Sequence, residues 1–342
     1  MKVVRLHGVG DLRVHEEPKP AIRPGEALIR VTAVGVCGSD LHWFSEAAIG
    51  DAEIEQPLVL GHEFAGVIEE ISGDHRGLTP GQRVAVDPAI PCNDCEFCLE
   101  GNPNLCERLH FAGHGLDDGA MQEYIPWPTR CLYPLPESIN DPDGAMLEPL
   151  GVAIHSVDLG NIRSGMTVGV FGCGPIGLLV LQVARAAGAT RLIATDKLPH
   201  RLDAAREMGA TDVFQSTGGD ENSEVLVAVN NRGVDVAFEA AGENDAVDTA
   251  IETVKPGGTV VLIGIPSDDW TTFNASTARR KGVTIKLCRR MKFTYPRAIK
   301  LVESGLVDVR SLVTHNYSLD ESMEAYLTAQ RREGIKVVLE LV

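Results

Sequence analysis

Positive charge is scarce in this chain: 31 lysines and arginines stand against 48 aspartates and glutamates, a formal net charge of -17. That balance repels phosphates and anionic lipid surfaces, so it disfavours nucleic acid and membrane as partners. Long apolar runs are missing as well. The longest reach, Val168 to Ala184, is cut by Gly169, Gly172, Gly174, Pro175 and Gly177. It reads as strand, turn and helix rather than as a membrane span. The opening Met1-Lys2-Val3-Val4-Arg5-Leu6 is too short an apolar stretch for the core of an export signal. A cytoplasmic chain is therefore expected, and there its eight cysteines are thiols or metal ligands rather than disulfides. No internal repeat or low-complexity tract stands out.

What is present is enough for two cores: 342 residues, 44% of them apolar. The first half reads as short strands cut by turn residues, with alternation over Ala27–Val36, Phe64–Ile71 and Gln82–Val86. This pattern predicts a twisted, mostly antiparallel β-barrel. From Asp143 the texture changes. A helical stretch, Ala145–Leu159, is expected to be interrupted by Pro149. Apolar strands then alternate with helices: Thr167–Phe171, Arg191–Thr195, Asp212–Phe214, Asp235–Glu239, Thr259–Ile263 and Thr284–Leu287. That is the signature of a parallel, doubly wound sheet. The tail, with helices over Tyr295–Ser304 and Asp320–Gln330 and a closing strand Lys336–Val342, is too small for a core of its own and is expected to join the first half. The expected α/β chain thus has a first domain at 1–150, with 289–342 returning to it, and a second at 151–288.

Three sets of residues carry chemistry. Cys92, Cys95, Cys98 and Cys106 are four thiols within fifteen residues, spaced by two, two and seven. They can close around one tetrahedral zinc with no position left open, which makes a structural site. Gly172-Cys173-Gly174-Pro175-Ile176-Gly177 fits G-x-G-x-x-G between a predicted strand and a predicted helix. The helix N-terminus there offers unpaired N–H groups to a pyrophosphate. Asp196, at the end of the next strand, suits the adenosine ribose hydroxyls and repels a 2′-phosphate, favouring NAD over NADP. Lys197 and Arg201 temper that preference, and Arg201 joins the cofactor set. Finally Cys37, His62 and Glu63, with Glu148 as a fourth group, form a sulfur, nitrogen and oxygen set suited to a zinc with an exchangeable position.

These motifs, in this order, resemble the zinc-dependent medium-chain alcohol dehydrogenases, and within them the sorbitol or polyol dehydrogenase-like branch. The matching stretches are Cys37-Gly38-Ser39-Asp40-Leu41-His42, Gly61-His62-Glu63, the four cysteines, Glu148-Pro149-Leu150 and Gly172–Gly177. The resemblance implies an N-terminal GroES-like catalytic barrel beside a Rossmann domain and two zinc ions per chain. It also implies a tetramer, or failing that a dimer, acting on a small polyol or alcohol. Cys37, His62 and Glu63 would hold the catalytic zinc, and Glu148, standing where simple alcohol dehydrogenases have cysteine, would bind it directly or through water. Asp40 would orient His62. Ser39 would take the alcohol proton and pass it through the cofactor ribose to His42, while Arg290 would approach substrate hydroxyls, or else be a cofactor-phosphate contact or a surface charge. His155 would be structural.

Trp43 and Met291 stand where the branch commonly carries tyrosine, which removes two hydroxyls from the expected pocket region. Pocket shape is expected to depend on Phe44–Glu55 and Leu109–Gly119. A threonine, secondary-alcohol or sugar-acid dehydrogenase would use the same machinery. A catalytically silent NAD(H)-binding protein and a zinc-ribbon nucleic-acid binder are the alternatives from other classes, and the acidic charge makes the last a poor one.

Overall fold

The computed structural model describes residues 1–50 and 52–341. Asp51, within the expected pocket stretch Phe44–Glu55, and Val342, the end of the expected closing strand, lie outside the described residues. The chain divides into two compact units. The first comprises Met1–Glu148, Tyr295–Glu303 and Val309–Val342, and the second Pro149–Thr294 with Ser304–Asp308.

The first unit is built on a seven-stranded sheet. Its order is Leu132–Pro134, Arg83–Val86, Glu63–Ile71, Glu26–Gly35, Lys336–Glu340 and Val313–Ser318. Tyr124–Pro128 pairs with the first half of Glu26–Gly35, and Lys336–Glu340 takes over along its second half. All these pairings are antiparallel except the last, Val313–Ser318 against Lys336–Glu340. The alternation of Glu26–Gly35 buries residues on both faces, as expected of a central strand. Around it pack Val3, Leu6, Ile29, Val31, Leu58, Phe64, Ile68, Trp127 and Tyr326, one continuous apolar core.

The second unit is a six-stranded parallel sheet ordered Asp212–Gln215, Arg191–Asp196, Thr167–Phe171, Val234–Glu239, Val254–Leu262 and Thr284–Leu287. Counting its strands along the chain gives 3-2-1-4-5-6, the doubly wound order whose direction reverses at the first strand. The helix expected to break at Pro149 instead runs unbroken over Leu147–Gly160. Pro149 lies in its first turn, where an amide has no intrahelical partner to lose. Among the described residues no helix is long and apolar enough to cross a membrane.

One half-buried acid in the first unit makes stability depend on pH. Asp87 sits beyond the Arg83–Val86 strand and accepts one backbone N–H, from Ala89, at 3.0 Å. Burial pushes its carboxyl up to about 6, against that single hydrogen bond. A carboxyl raised above its unfolded value favours the protonated fold. Its contribution is full below about pH 4 and is lost as pH rises through about 6. The Asp87→Asn variant is therefore expected to be more stable at pH 7 by on the order of 1–2 kcal/mol, part of the full linkage because some of the residue still meets solvent. Thermal melts of both proteins from pH 4 to 8 check this; a variant no more stable than wild type at pH 7 would contradict it.

Candidate metal and dinucleotide sites

The mixed-donor centre is assembled at the end of the central strands of the first unit. Cys37 follows the Glu26–Gly35 strand and caps the helix Gly38–Glu46. His62 immediately precedes the Glu63–Ile71 strand, and Glu63 is its first residue. One donor atom from each of Cys37, His62 and Glu63 lies within 4.8 Å of the other two. An ion about 2.0–2.3 Å from sulfur, nitrogen and oxygen fits such a triangle.

Asp40 ties the donor segments together. It is fully buried, and its Oδ2 accepts the Cys37 N–H at 3.0 Å while Oδ1 accepts the Gly61 N–H at 3.4 Å. Oδ1 also lies 3.3 Å from His62 Nδ1, which turns the other ring nitrogen, Nε2, toward the donor cluster. Burial alone lowers the basicity of His62, but the charges of Asp40 and Cys37 raise it by more. Metal and proton compete for the Nε2 lone pair. The Ser39 hydroxyl lies 3.5 Å from Nε2. His42 is half-buried on the same helix, its Nδ1 3.7 Å from Glu46.

Glu148 is buried near this centre but does not belong to the three-donor group. Its carboxyl is pushed up to about 8, by burial first, with Glu63 adding to the rise and His62 opposing it. The sequence reading missed Lys336, which forms an ion pair with Glu63 and is 3% exposed. Its only signal was a lone charge opening the otherwise apolar run Val337-Val338-Leu339. Trp43 is buried, with its indole edge-on to His114 at 5.6 Å between ring centres.

The four-cysteine cluster lies on a loop of the same unit. Donor atoms of Cys92, Cys95, Cys98 and Cys106 are all within 4.8 Å of one another. Cys92 Sγ is 3.4 Å from Cys106 Sγ and 3.9 Å from Cys98 Sγ. Tetrahedral zinc with Zn–S of about 2.3 Å sets sulfurs roughly 3.8 Å apart, so the cage fits. The Cys92 and Cys95 amides donate to the Cys106 and Cys92 sulfurs at 3.3 and 3.4 Å. All eight cysteines are free.

In the second unit the glycine turn Gly172–Gly177 joins the Thr167–Phe171 strand to the helix Pro175–Ala186. A Cβ on Gly177 would fall 1.8 Å from the Gly172 carbonyl oxygen, so the helix can start this close to the strand only with glycine there. At Gly174, the residue before Pro175, a Cβ would meet nothing nearer than Arg201 Nη1 at 3.6 Å. This is an open cradle at a helix N-terminus with a cation at its edge, and a pyrophosphate fits it. Asp196 is 8% exposed and already engaged: Oδ2 accepts the Cys173 N–H at 2.7 Å and Oδ1 the Leu198 N–H at 2.8 Å. Each oxygen keeps a lone pair for a ribose hydroxyl. Arg201 Nη1 stands 4.0 Å from Asp196, whereas Lys197 is paired with Glu243.

Arg290 and Met291 belong to this unit. Arg290 has a positive φ of 54° in the loop after Thr284–Leu287, and Met291 packs against Gly151 and takes the Thr294 hydroxyl at 3.1 Å. His155 is buried in the Leu147–Gly160 helix.

Two family models match the chain: an alcohol dehydrogenase GroES-like domain over residues 23–137 and a zinc-binding dehydrogenase over 175–304. Sorbitol dehydrogenase of Bacillus subtilis (strain 168) is 36% identical over 341 residues, covering 99% of this chain and 97% of its own. Among solved structures, a Sinorhizobium meliloti 1021 protein bound to NADP superposes with a TM-score of 0.90 at 32% identity, covering 99% of this chain and 98% of its own. A short chain alcohol dehydrogenase from Escherichia coli CFT073 complexed with NADH gives 0.90 at 28%, covering 99% of each chain.

Proposed function

This chain belongs to the zinc-dependent medium-chain alcohol dehydrogenases, in their polyol branch, and from that premise we propose how its residues divide the work. It is an oxidoreductase that takes a hydride from the carbinol carbon of a polyol or related secondary alcohol to a nicotinamide dinucleotide, leaving a ketose or ketone and one proton. The single observation that carries this reading is the convergence of Cys37, His62 and Glu63 within 4.8 Å, a donor set of three with room for an exchangeable ligand. When bound, zinc supplies a Lewis acid that makes the substrate hydroxyl more acidic, and the dinucleotide accepts the hydride.

The chain's own groups do the rest. Asp40 fixes the tautomer and aim of His62. Ser39, beside His62 Nε2, takes the proton lost by the alcohol, and His42, half-buried on the next helical turn, returns it to solvent. Glu148 supplies a carboxyl beside the metal ligands, and Arg290 a cation for substrate hydroxyls. Eight free cysteines suit a reducing cytoplasm. The outer strand Thr284–Leu287, with Leu287 75% exposed, suits extension by a second copy in a homo-oligomer, a tetramer or a dimer.

The test is a panel of polyols, threonine, sugar acids and simple secondary alcohols with NAD, following NADH at neutral and alkaline pH. Fastest turnover is expected on a polyol; silence on every alcohol would overturn the reading. The same assay examines cofactor choice. The Asp196→Ala variant should lose NAD efficiency by on the order of 1–3 kcal/mol, or roughly ten- to a hundred-fold in kcat/KM. NADP efficiency should fall less, because Arg201 then faces a 2′-phosphate without a competing anion. An equal fall with both cofactors would assign Asp196 to holding Cys173 and the glycine turn alone.

A further inference from the structure

Glu63 has a second claimant. Its carboxylate is 1% exposed, and the Lys336 ammonium, 3% exposed, is ion-paired with Oε2. The ammonium meets that oxygen as an opposite charge and as a hydrogen-bond donor. The two side chains come from strands on either side of Glu26–Gly35: Gly35 is in register with Glu63 on one side and with Val338, two residues beyond Lys336, on the other. A Cβ on Gly35 would stand 2.1 Å from Glu63 Oε2 and 3.0 Å from Lys336 Cε. The pair therefore occupies a gap in the central strand that any other residue would fill.

The charges show what the pair is for. A Cys37 thiolate, a Glu63 carboxylate and a neutral His62 neutralise one divalent ion, and buried Asp40 adds a further negative charge. Lys336 is the positive charge in contact with this group, and burying one member without the other is costly. Lys336 and a metal ion also repel each other and attract the same carboxylate. Resting on the metal-site reading above, we propose that Lys336 is a positioning residue of the catalytic centre: it holds Glu63 when the metal is absent and competes with the metal for it when the metal is bound.

The experiment uses the full-length protein with both sites filled, as zinc and as cobalt(II), and follows metal transfer to a chelator. In Lys336→Met the metal at the mixed-donor site is expected to leave at least about ten-fold more slowly, because its competitor for Glu63 is gone. The cobalt(II) ligand-field bands should shift, since the carboxylate then turns wholly to the metal. Lys336→Arg, which keeps the charge, should restore wild-type release and spectrum, and the four-cysteine site serves as an internal reference whose release stays unchanged. Equal or faster release from Lys336→Met, or an unshifted spectrum, would overturn the proposal. Should Lys336→Met fail to fold, the double variant Glu63→Gln/Lys336→Met is expected to fold, and its failure would overturn the pairing. Wild type holding metal only at the four cysteines would instead defeat the metal-site reading itself.

Discussion

Replacing His62 with alanine is expected to lower turnover by roughly three to four orders of magnitude, the kinetic equivalent of the several kcal/mol a bound Lewis acid contributes. The fold should survive. Asp40 keeps its two backbone donors, the Cys37 and Gly61 amides, so the segments carrying the other ligands stay tied together. The loss should therefore appear in kcat and in metal content, from two zinc ions per chain to one, with little change in thermal midpoint beyond the metal's own contribution. Elemental analysis and a melt on the same preparation check both parts. A His62→Ala enzyme that kept two zinc ions and near-normal turnover would remove His62 from the centre.

Cys106→Ser is expected to do the reverse, costing stability before chemistry. The loop bearing the four cysteines has almost no core of its own. Its regular structure is a four-residue helix, Glu96–Leu99, and a single 3-10 turn, Pro103–Leu105, while Leu99 is 75% and Leu105 44% exposed. Such a segment holds its shape through the metal, whose binding free energy is then folding free energy. Removing one thiolate should release one zinc per chain and lower stability by several kcal/mol. Proteolytic nicking within residues 92–106 should appear as well. Cys131→Ser is the control: Cys131 is a lone buried thiol in the main core of the first unit, so the variant should keep both zinc ions. Wild-type stability with one zinc in Cys106→Ser would make the cluster dispensable.

Much of the chemistry was legible along the chain because it rests on local pattern. Four thiols spaced by two, two and seven close on one ion whatever surrounds them, and a glycine turn between strand and helix makes an anion cradle from its own backbone. The alternation of apolar strands and helices from Thr167 onward likewise fixed the doubly wound sheet, since buried parallel strands must be apolar on both faces. Cys37, His62 and Glu63 could be named together because their sulfur, nitrogen and oxygen donors suit one zinc and their motifs resemble the family's.

Where the reading fell short, the deciding feature was an unmarked helix start or a contact distant in sequence. Pro149 looked like a break, but the helix starts only two residues earlier, and that start is not marked by any capping residue in the sequence. Asp196 was expected to serve a ribose; the structure shows its carboxylate also holding the Cys173 amide, twenty-three residues away. Glu148, expected to bind the metal directly or through water, is buried near the three-donor group and is not one of its members. The sequence alone determined which donors this protein has and which two kinds of site they make, because ligand type and short spacing are properties of the chain itself. Only the tertiary structure decided that Lys336 faces Glu63 across Gly35: strand register joins residues some three hundred positions apart, and no local preference encodes which buried charge will meet which.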